Sequence, residues 1–238
     1  MRALAAAVAL PLCALLAACA ATRAAEPRFT VVTIDPARQR LQLFLNDEKG
    51  RPYQRLDKLA AALAGHGQRL AFAMNAGMYH ADYSPVGLLV ADGIEFAPLN
   101  LEHGKGNFFL QPNGVFLVTD AGAQVVESSA YPAFARQARI ATQSGPMLLS
   151  EGRINPLFDP ISRSAYIRNG VCAIDGKAIF VISDVPLNLY AFASYFRDTL
   201  KCRDALYLDG SVSSLYSPAL GRNDSHAKLG PIIGVTGN

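Results

Sequence analysis

The stretch Leu206-Tyr207-Leu208-Asp209-Gly210-Ser211-Val212-Ser213-Ser214 carries the side chains best suited to chemistry. The short apolar run Ala205 to Leu208 reads as a buried strand, and it stops at a carboxylate. Asp209 then stands where the strand leaves the core, and Gly210 lets the backbone turn sharply. A carboxylate at the mouth of a sheet suits acid–base, nucleophilic or ligand-binding work. The plainer alternative is an ordinary Asp-Gly turn. The hydroxyls of Ser211, Ser213 and Ser214 raise a serine-dependent hydrolase as another chemistry, although no recognisable histidine partner motif accompanies them.

Several other chemistries are missing. There is no GxSxG elbow and no HExxH pair. There is no phosphate-cradling GxxxxGK loop and no GxGxxG fingerprint. His66, His80, His103 and His226 lie far apart and show no metal-ligand spacing. No cofactor is implied, although the acidic turns could hold Ca²⁺ through backbone carbonyls.

The elements that must position Asp209 are mostly strands. Phe29 to Ile34 and Leu41 to Leu45 read as a strand pair joined by a polar turn. Leu56, Leu59, Ala60 and Leu63 fall at helical spacing, and Gly65 to Gly67 end that helix. Leu70 to Met74 is a buried strand. Val86 to Val90, Asn107 to Leu110, Gly114 to Val118 and Ala123 to Glu127 have the short, punctuated character of antiparallel meanders. A short helix is predicted over Tyr131 to Arg136. Ser144-Gly145-Pro146 turns between Ile140–Gln143 and Met147–Ser150. Gly170 to Ile174 and Ala178 to Ser183 form a hairpin around Asp175-Gly176. A helix capped by Asn188 follows, with Leu189, Phe192, Ala193, Phe196 and Leu200 on its buried face, and then the Ala205 strand. Strand, helix, strand predicts a right-handed crossover and a parallel pair. The fold class expected is α+β: a mixed, largely antiparallel sheet with a βαβ unit near the C-terminus. Ligands gather at the carboxyl ends of such parallel strands, where Ser183-Asp184 and Asp209-Gly210 fall.

With 238 residues, 51% hydrophobic and 17% charged, the chain has ample material for a core. A net charge of +3 with scattered Lys and Arg gives no footprint for nucleic acid. Met1-Arg2 followed by apolar Ala3 to Ala18 reads as an export signal too short to span a bilayer. Leu16-Ala17-Ala18-Cys19 resembles a bacterial lipobox, and simple cleavage around Ala20 to Ala25 is the alternative. The division expected is a signal peptide over 1–18, a tether over 19–27 with lipid on Cys19, and a domain over 28–238. The absence of Asp after Cys19 resembles lipoproteins of the outer membrane, facing the periplasm. In that oxidising compartment Cys172 and Cys202 either form one disulfide or remain two buried thiols.

Seven polar breaks recur at strand ends: Asn75-Ala76-Gly77-Met78-Tyr79, Ser84-Pro85-Val86-Gly87, Asn107-Phe108-Phe109, Pro112-Asn113-Gly114-Val115-Phe116, Ser144-Gly145-Pro146, Arg168-Asn169-Gly170 and Asp209-Gly210. As a set, over roughly Asn75 to Val235, they resemble the phosphodiester glycosidase family, closest to its bacterial branch. The resemblance implies a pocket lined by Asn75, Gly145, Arg168 and Asp209, and a sugar-phosphate or envelope-glycan substrate. Asp209 would stabilise an oxocarbenium-like transition state or activate water. Arg168 would hold the phosphate with its guanidinium fork. Asn75 and Asn113 would bond sugar hydroxyls and Tyr79 would stack on a sugar face, with Gly77, Gly210 and Ser213 completing the substrate site. A non-catalytic glycan-binding lipoprotein is the competing expectation. A second carboxylate could be Glu127, Glu151, Asp159, Asp175 or Asp184, and the sequence does not choose. One departure stands out: the family usually has Asp-Gly-Gly-Gly-Ser-Ser where this chain has Asp209-Gly210-Ser211-Val212-Ser213-Ser214. The two added side chains put positive φ, and close approach of a ligand to this backbone, in question.

Overall fold

Short apolar runs separated by turn residues produce strands throughout the structure, a computed structural model that describes residues 29–237. The predicted signal peptide, Cys19 and the tether lie outside the described residues. In chain order the strands are β1 (Phe29–Ile34), β2 (Arg40–Phe44), β3 (Arg69–Asn75), β4 (Leu89–Ala91), β5 (Ile94–Ala97) and β6 (Gly114–Thr119). Next come β7 (Gly122–Glu127), β8 (Ile140–Ser144), β9 (Met147–Ser150), β10 (Arg153–Ile154) and β11 (Asn169–Ile174). The last are β12 (Lys177–Ser183), β13 (Ala205–Tyr207), β14 (Leu215–Ser217), β15 (Arg222–Asn223) and β16 (Ile232–Gly237). Two α-helices accompany them among the described residues, α1 (Leu56–Gly65) and α2 (Leu189–Ser194).

The strands form three sheets, ordered β1-β12-β11-β13-β9-β10, β15-β14-β3-β16-β2 and β5-β4-β8-β6-β7. Their inward faces meet in one apolar core. Phe72 of β3, Phe116 of β6 and Phe180 of β12 supply one ring from each sheet, with centroids 5.1 and 5.6 Å apart across Phe180. None of the helices among the described residues is long and apolar enough to cross a membrane.

Local signals translate directly. The α1 stripe buries Leu56, Leu59 and Leu63. The Asp175-Gly176 hairpin joins β11 to β12, with both turn residues at positive φ. Asn188 caps α2, its side chain accepting from the Ala191 N–H at 2.8 Å. Cys172 of β11 is bonded to Cys202, which follows the helical turn extending α2.

Four expectations are corrected. First, β1 and β2 do not pair with each other: β1 pairs with β12 and β2 with β16. The Asp35 carbonyl accepts from Arg38 and Gln39, and this corner sends the chain from one sheet to another. Second, Asn107–Phe109 is a 3₁₀ turn rather than a strand. Third, a 3₁₀ turn at Ser128–Ala133 replaces the short helix. Fourth, no hydrogen-bonded parallel pair surrounds α2. Strands β12 and β13 run in the same direction, but antiparallel β11 lies between them. The tight hairpin places β11 on one edge of β12, and β1 occupies the other, so β13 has no edge of β12 left to join.

Candidate active site

Because β12 and β13 run parallel, Ser183 and Tyr207 finish at the same end of their sheet, and β11 begins there at Asn169. The other two sheets deliver strand ends to the same place. The Asp209 N–H donates to the Ala76 carbonyl at 3.2 Å, just past β3. The Tyr207 N–H donates to the Pro146 carbonyl at 3.1 Å, where the chain crosses from β8 to β9. Turns from all three sheets therefore meet around Asp209.

A buried amide pair clamps them. Asn75 Nδ2 donates to the Asp209 carbonyl at 2.7 Å, and Asn75 Oδ1 accepts from the Ser214 N–H at 2.9 Å. Asn169 Nδ2 donates to Asn75 Oδ1 at 3.1 Å, and Asn169 Oδ1 accepts from Ser213 Oγ at 2.9 Å. Both ends of the 209–214 turn are thereby tied to β3 and β11. The Asn75 amide is fully engaged with protein atoms, so its work is to shape the turn.

Arg168 and the turn that follows Asp209 both meet the Tyr207 hydroxyl. Arg168 is 2% exposed. It donates from Nε to the Leu187 carbonyl (2.6 Å), from Nη1 to Tyr207 Oη (2.8 Å) and from Nη2 to the Ser164 carbonyl (2.7 Å). Its guanidinium carbon lies 5.5 Å from the ring centroids of both Tyr166 and Tyr207. All three acceptors are uncharged, and no carboxylate among the described residues pairs with it. The cation is compensated by carbonyl and hydroxyl dipoles and by ring faces instead of a counter-ion. The other side of the Tyr207 hydroxyl touches Gly210, where a Cβ would stand 1.7 Å from the oxygen. The turn expected at Asp209-Gly210 forms, the Val212 N–H donating to the Asp209 carbonyl at 3.3 Å, but Gly210 is absent from the positive-φ glycines, so what calls for a glycine there is this contact.

The same observation resolves the missing family glycines. Ser211 and Val212 also lie outside the positive-φ region, so their side chains strain nothing. Ser211 contributes directly: its Oγ donates to Asp209 Oδ1 at 2.7 Å and its N–H to the same oxygen at 3.2 Å.

Burial raises the Asp209 pKa above the ordinary 3.8, and the two Ser211 hydrogen bonds oppose the rise. An identical pair of bonds joins Ser84 to exposed Asp82, whose pKa is lowered. Desolvation thus decides the sign at Asp209. Burial also raises Tyr207, with Arg168 opposing and the Asp209 charge adding to it. Tyr79 is pushed up to about 12, by burial first and then by Asp209 and Tyr83. Tyr79 and Tyr207 therefore both feel the Asp209 carboxylate.

The remaining expected residues divide into two groups. Gly77 packs against β8, where a Cβ would meet the Gln143 carbonyl at 2.2 Å. Gly145 is closed in by the carbonyls of Phe108 and Asn107 and by Asn113 Cβ. Asn113 is buried and donates to the Phe108 carbonyl at 3.0 Å, so it holds this loop instead of presenting its amide to a ligand. Tyr79 donates its hydroxyl to the Lys228 carbonyl and lies against Gly230 and Tyr83. Ser213 and Ser214 are buried and donate to backbone or amide oxygens, and none of Ser211, Ser213 and Ser214 bonds a histidine. Among the second carboxylates, Asp184 is paired with Arg222, Glu151 with Arg153 and Arg203, and Asp175 sits in the hairpin at the far end of β12.

Tyr207 and Asn169 were not singled out for roles by sequence reasoning. One signal was available for Tyr207. A tyrosine inside a fully apolar strand needs a partner for its hydroxyl. Asn169 gave none beyond its place beside Arg168.

The phosphodiester glycosidase family model matches residues 68–236. The Escherichia coli (strain K12) protein named Uncharacterized protein YigE is 37% identical over 194 residues, covering 80% of this chain and 76% of that protein. Among solved structures, the zebrafish N-acetylglucosamine-1-phosphodiester alpha-N-acetylglucosaminidase catalytic domain, auto-inhibited by its pro-peptide, aligns with TM-score 0.60 at 13% identity. That alignment covers 90% of this chain and 84% of the zebrafish chain. A hypothetical protein from Synechocystis aligns with TM-score 0.55 at 16% identity, over 89% of this chain and 59% of the other. At these identities the structures speak for the fold, while the sequence matches carry the family. The chain belongs to the phosphodiester glycosidase family, and Asp209, Tyr207 and Arg168 lie within its matched region.

Proposed function

We propose that this protein is an envelope-anchored glycosidase that hydrolyses a sugar-1-phosphodiester bond. The observation that carries the reading is a buried guanidinium without a counter-ion, bonded to the Tyr207 hydroxyl against which Gly210, the residue after Asp209, packs. Three of the five Arg168 N–H donors have protein acceptors, and two remain for a phosphate group. Positive charge there stabilises the departing phosphate, which is already a good leaving group. Asp209 acts on the sugar side. Its carboxylate stabilises the positive charge that develops at the anomeric carbon, or takes the proton of the attacking water. Ser211 fixes one carboxylate oxygen and leaves the other for this work. Anchoring rests on the lipobox at Leu16 to Cys19, which would hold the site at a membrane surface facing the periplasm.

The test is incubation of the purified domain with a panel of nucleotide sugars and sugar-1-phosphate diesters, measuring released sugar. Asp209→Asn is expected to reduce turnover by about 10²–10⁴-fold, the usual contribution of a positioned acid or base. Equal turnover by wild type and Asp209→Asn would remove Asp209 from the mechanism. Absence of sugar release across the panel, with saccharide binding retained, would favour the non-catalytic glycan-binding reading.

A further inference from the structure

The start of β8 borders a hollow of about 500 Å³ whose lining includes none of the residues placed around Asp209. Strand β8 runs from Ile140 beside this hollow to Ser144 beside the candidate active site, a span of about 13 Å at ~3.3 Å per residue. Arg40 of β2 lines it together with Arg136 and Arg139 from the segment leading into β8. The three arginines are scattered in sequence and gathered only by the fold. Arg40 and Arg136 are exposed and have no carboxylate partner among the described residues. Arg139 approaches only Asp120, at 3.6 Å, and that carboxylate is fully in solvent. Asp92 is the single acid on the lining.

Three arginines against one acid leave the lining net positive, which favours a polyvalent anion. The rest of the lining narrows the chemistry. Gln42 and Gln137 add side-chain amides, which suit hydroxyls. Leu41 and Ile140 form an apolar floor, which suits the CH face of a sugar ring. No aromatic side chain lines the hollow, so nothing is available on which a nucleobase could stack. The volume falls within the range of ordinary ligand pockets. The geometry points to a binding site for an anionic saccharide, with its acidic groups on Arg40, Arg136 and Arg139. The site is separate from the proposed reaction and stands whether or not Asp209 is catalytic.

The experiment uses the ¹⁵N-labelled mature chain at low salt, titrated with hexagalacturonate, glucose 6-phosphate, neutral maltohexaose and a single-stranded DNA oligonucleotide. Binding of hexagalacturonate or glucose 6-phosphate is expected to shift the amides of Gln42, Gly93 and Gln137, and maltohexaose is expected to shift none of them. The double variant Arg40→Ala/Arg136→Ala, altered only at exposed side chains, should weaken the anion at least tenfold. Which of the two anions binds more tightly assigns carboxylate or phosphate as the recognised group. The proposal is overturned if neither anion binds, if the double variant binds equally well, if maltohexaose competes on equal terms, if the DNA binds more tightly than either saccharide, or if the shifts fall only around Asn75 and Asp209.

Discussion

Replacing Gly210 with alanine tests the geometry of the site at its tightest point. Backbone conformation offers no objection, because Gly210 is not at positive φ. The entire effect must therefore come from the added methyl. It would stand 1.7 Å from Tyr207 Oη and 2.3 Å from Cζ. Tyr207 is 2% exposed and cannot swing into solvent. Forcing a methyl into a packed interior costs about 1–3 kcal/mol. Moving the hydroxyl also disrupts its bond with Arg168 Nη1, and a buried bond to a charged group contributes about 1.5–3 kcal/mol. The expected loss is about 2.5–6 kcal/mol, or roughly 5–24 °C in Tm for a chain of this size. Urea unfolding of Gly210→Ala, Tyr207→Phe and the double variant measures it. Both single changes act through one hydroxyl, so the double variant should be less destabilised than their sum by about 1 kcal/mol or more. A loss under about 0.5 kcal/mol for Gly210→Ala, or strict additivity, would refute the contact and with it the link from the Gly210 turn through Tyr207 to Arg168.

Other expectations follow from the same structure. Asp209→Asn should stabilise the fold at neutral pH while removing turnover. Burial raises the folded-state pKa, so the ionised carboxylate costs stability above it, and that cost fades as pH falls toward 3.8, the ordinary value of a solvated aspartate. Urea midpoints of variant and wild type should therefore differ at pH 7 and converge below pH 3.8. Asn75→Ala leaves the buried Ser214 N–H and the Asp209 carbonyl without partners, and chemical denaturation should show a loss of about 2–5 kcal/mol. The Cys172–Cys202 bond closes a separation of 30 residues, so the Cys172→Ala/Cys202→Ala variant should lose about 3–4 kcal/mol by calorimetry. Cys19→Ala should move the protein from the membrane fraction to the soluble periplasm, and unchanged fractionation would count against the anchor.

The sequence by itself determined what neighbouring residues decide. The Asp175-Gly176 hairpin, the α1 stripe, the Asn188 cap and the strand that leads to Asp209 all follow from local backbone preferences and apolar periodicity, which act over a few residues. The seven polar breaks were also legible as a set, enough to read the family. Tertiary structure alone decided which strands share an edge, because hydrogen-bond partners are chosen by distant segments competing for the same edge. That is why β1 and β2 part and β11 separates β12 from β13. It also decided what each polar side chain does. Asn75 and Asn113 carry the same amide as any sugar-binding asparagine, yet burial obliges them to satisfy the chain's own backbone. Gly210 is required by a hydroxyl three residues back, a contact that no turn propensity encodes. Arg40, Arg136 and Arg139 form no charged run along the chain, and only the folded surface brings them to one hollow.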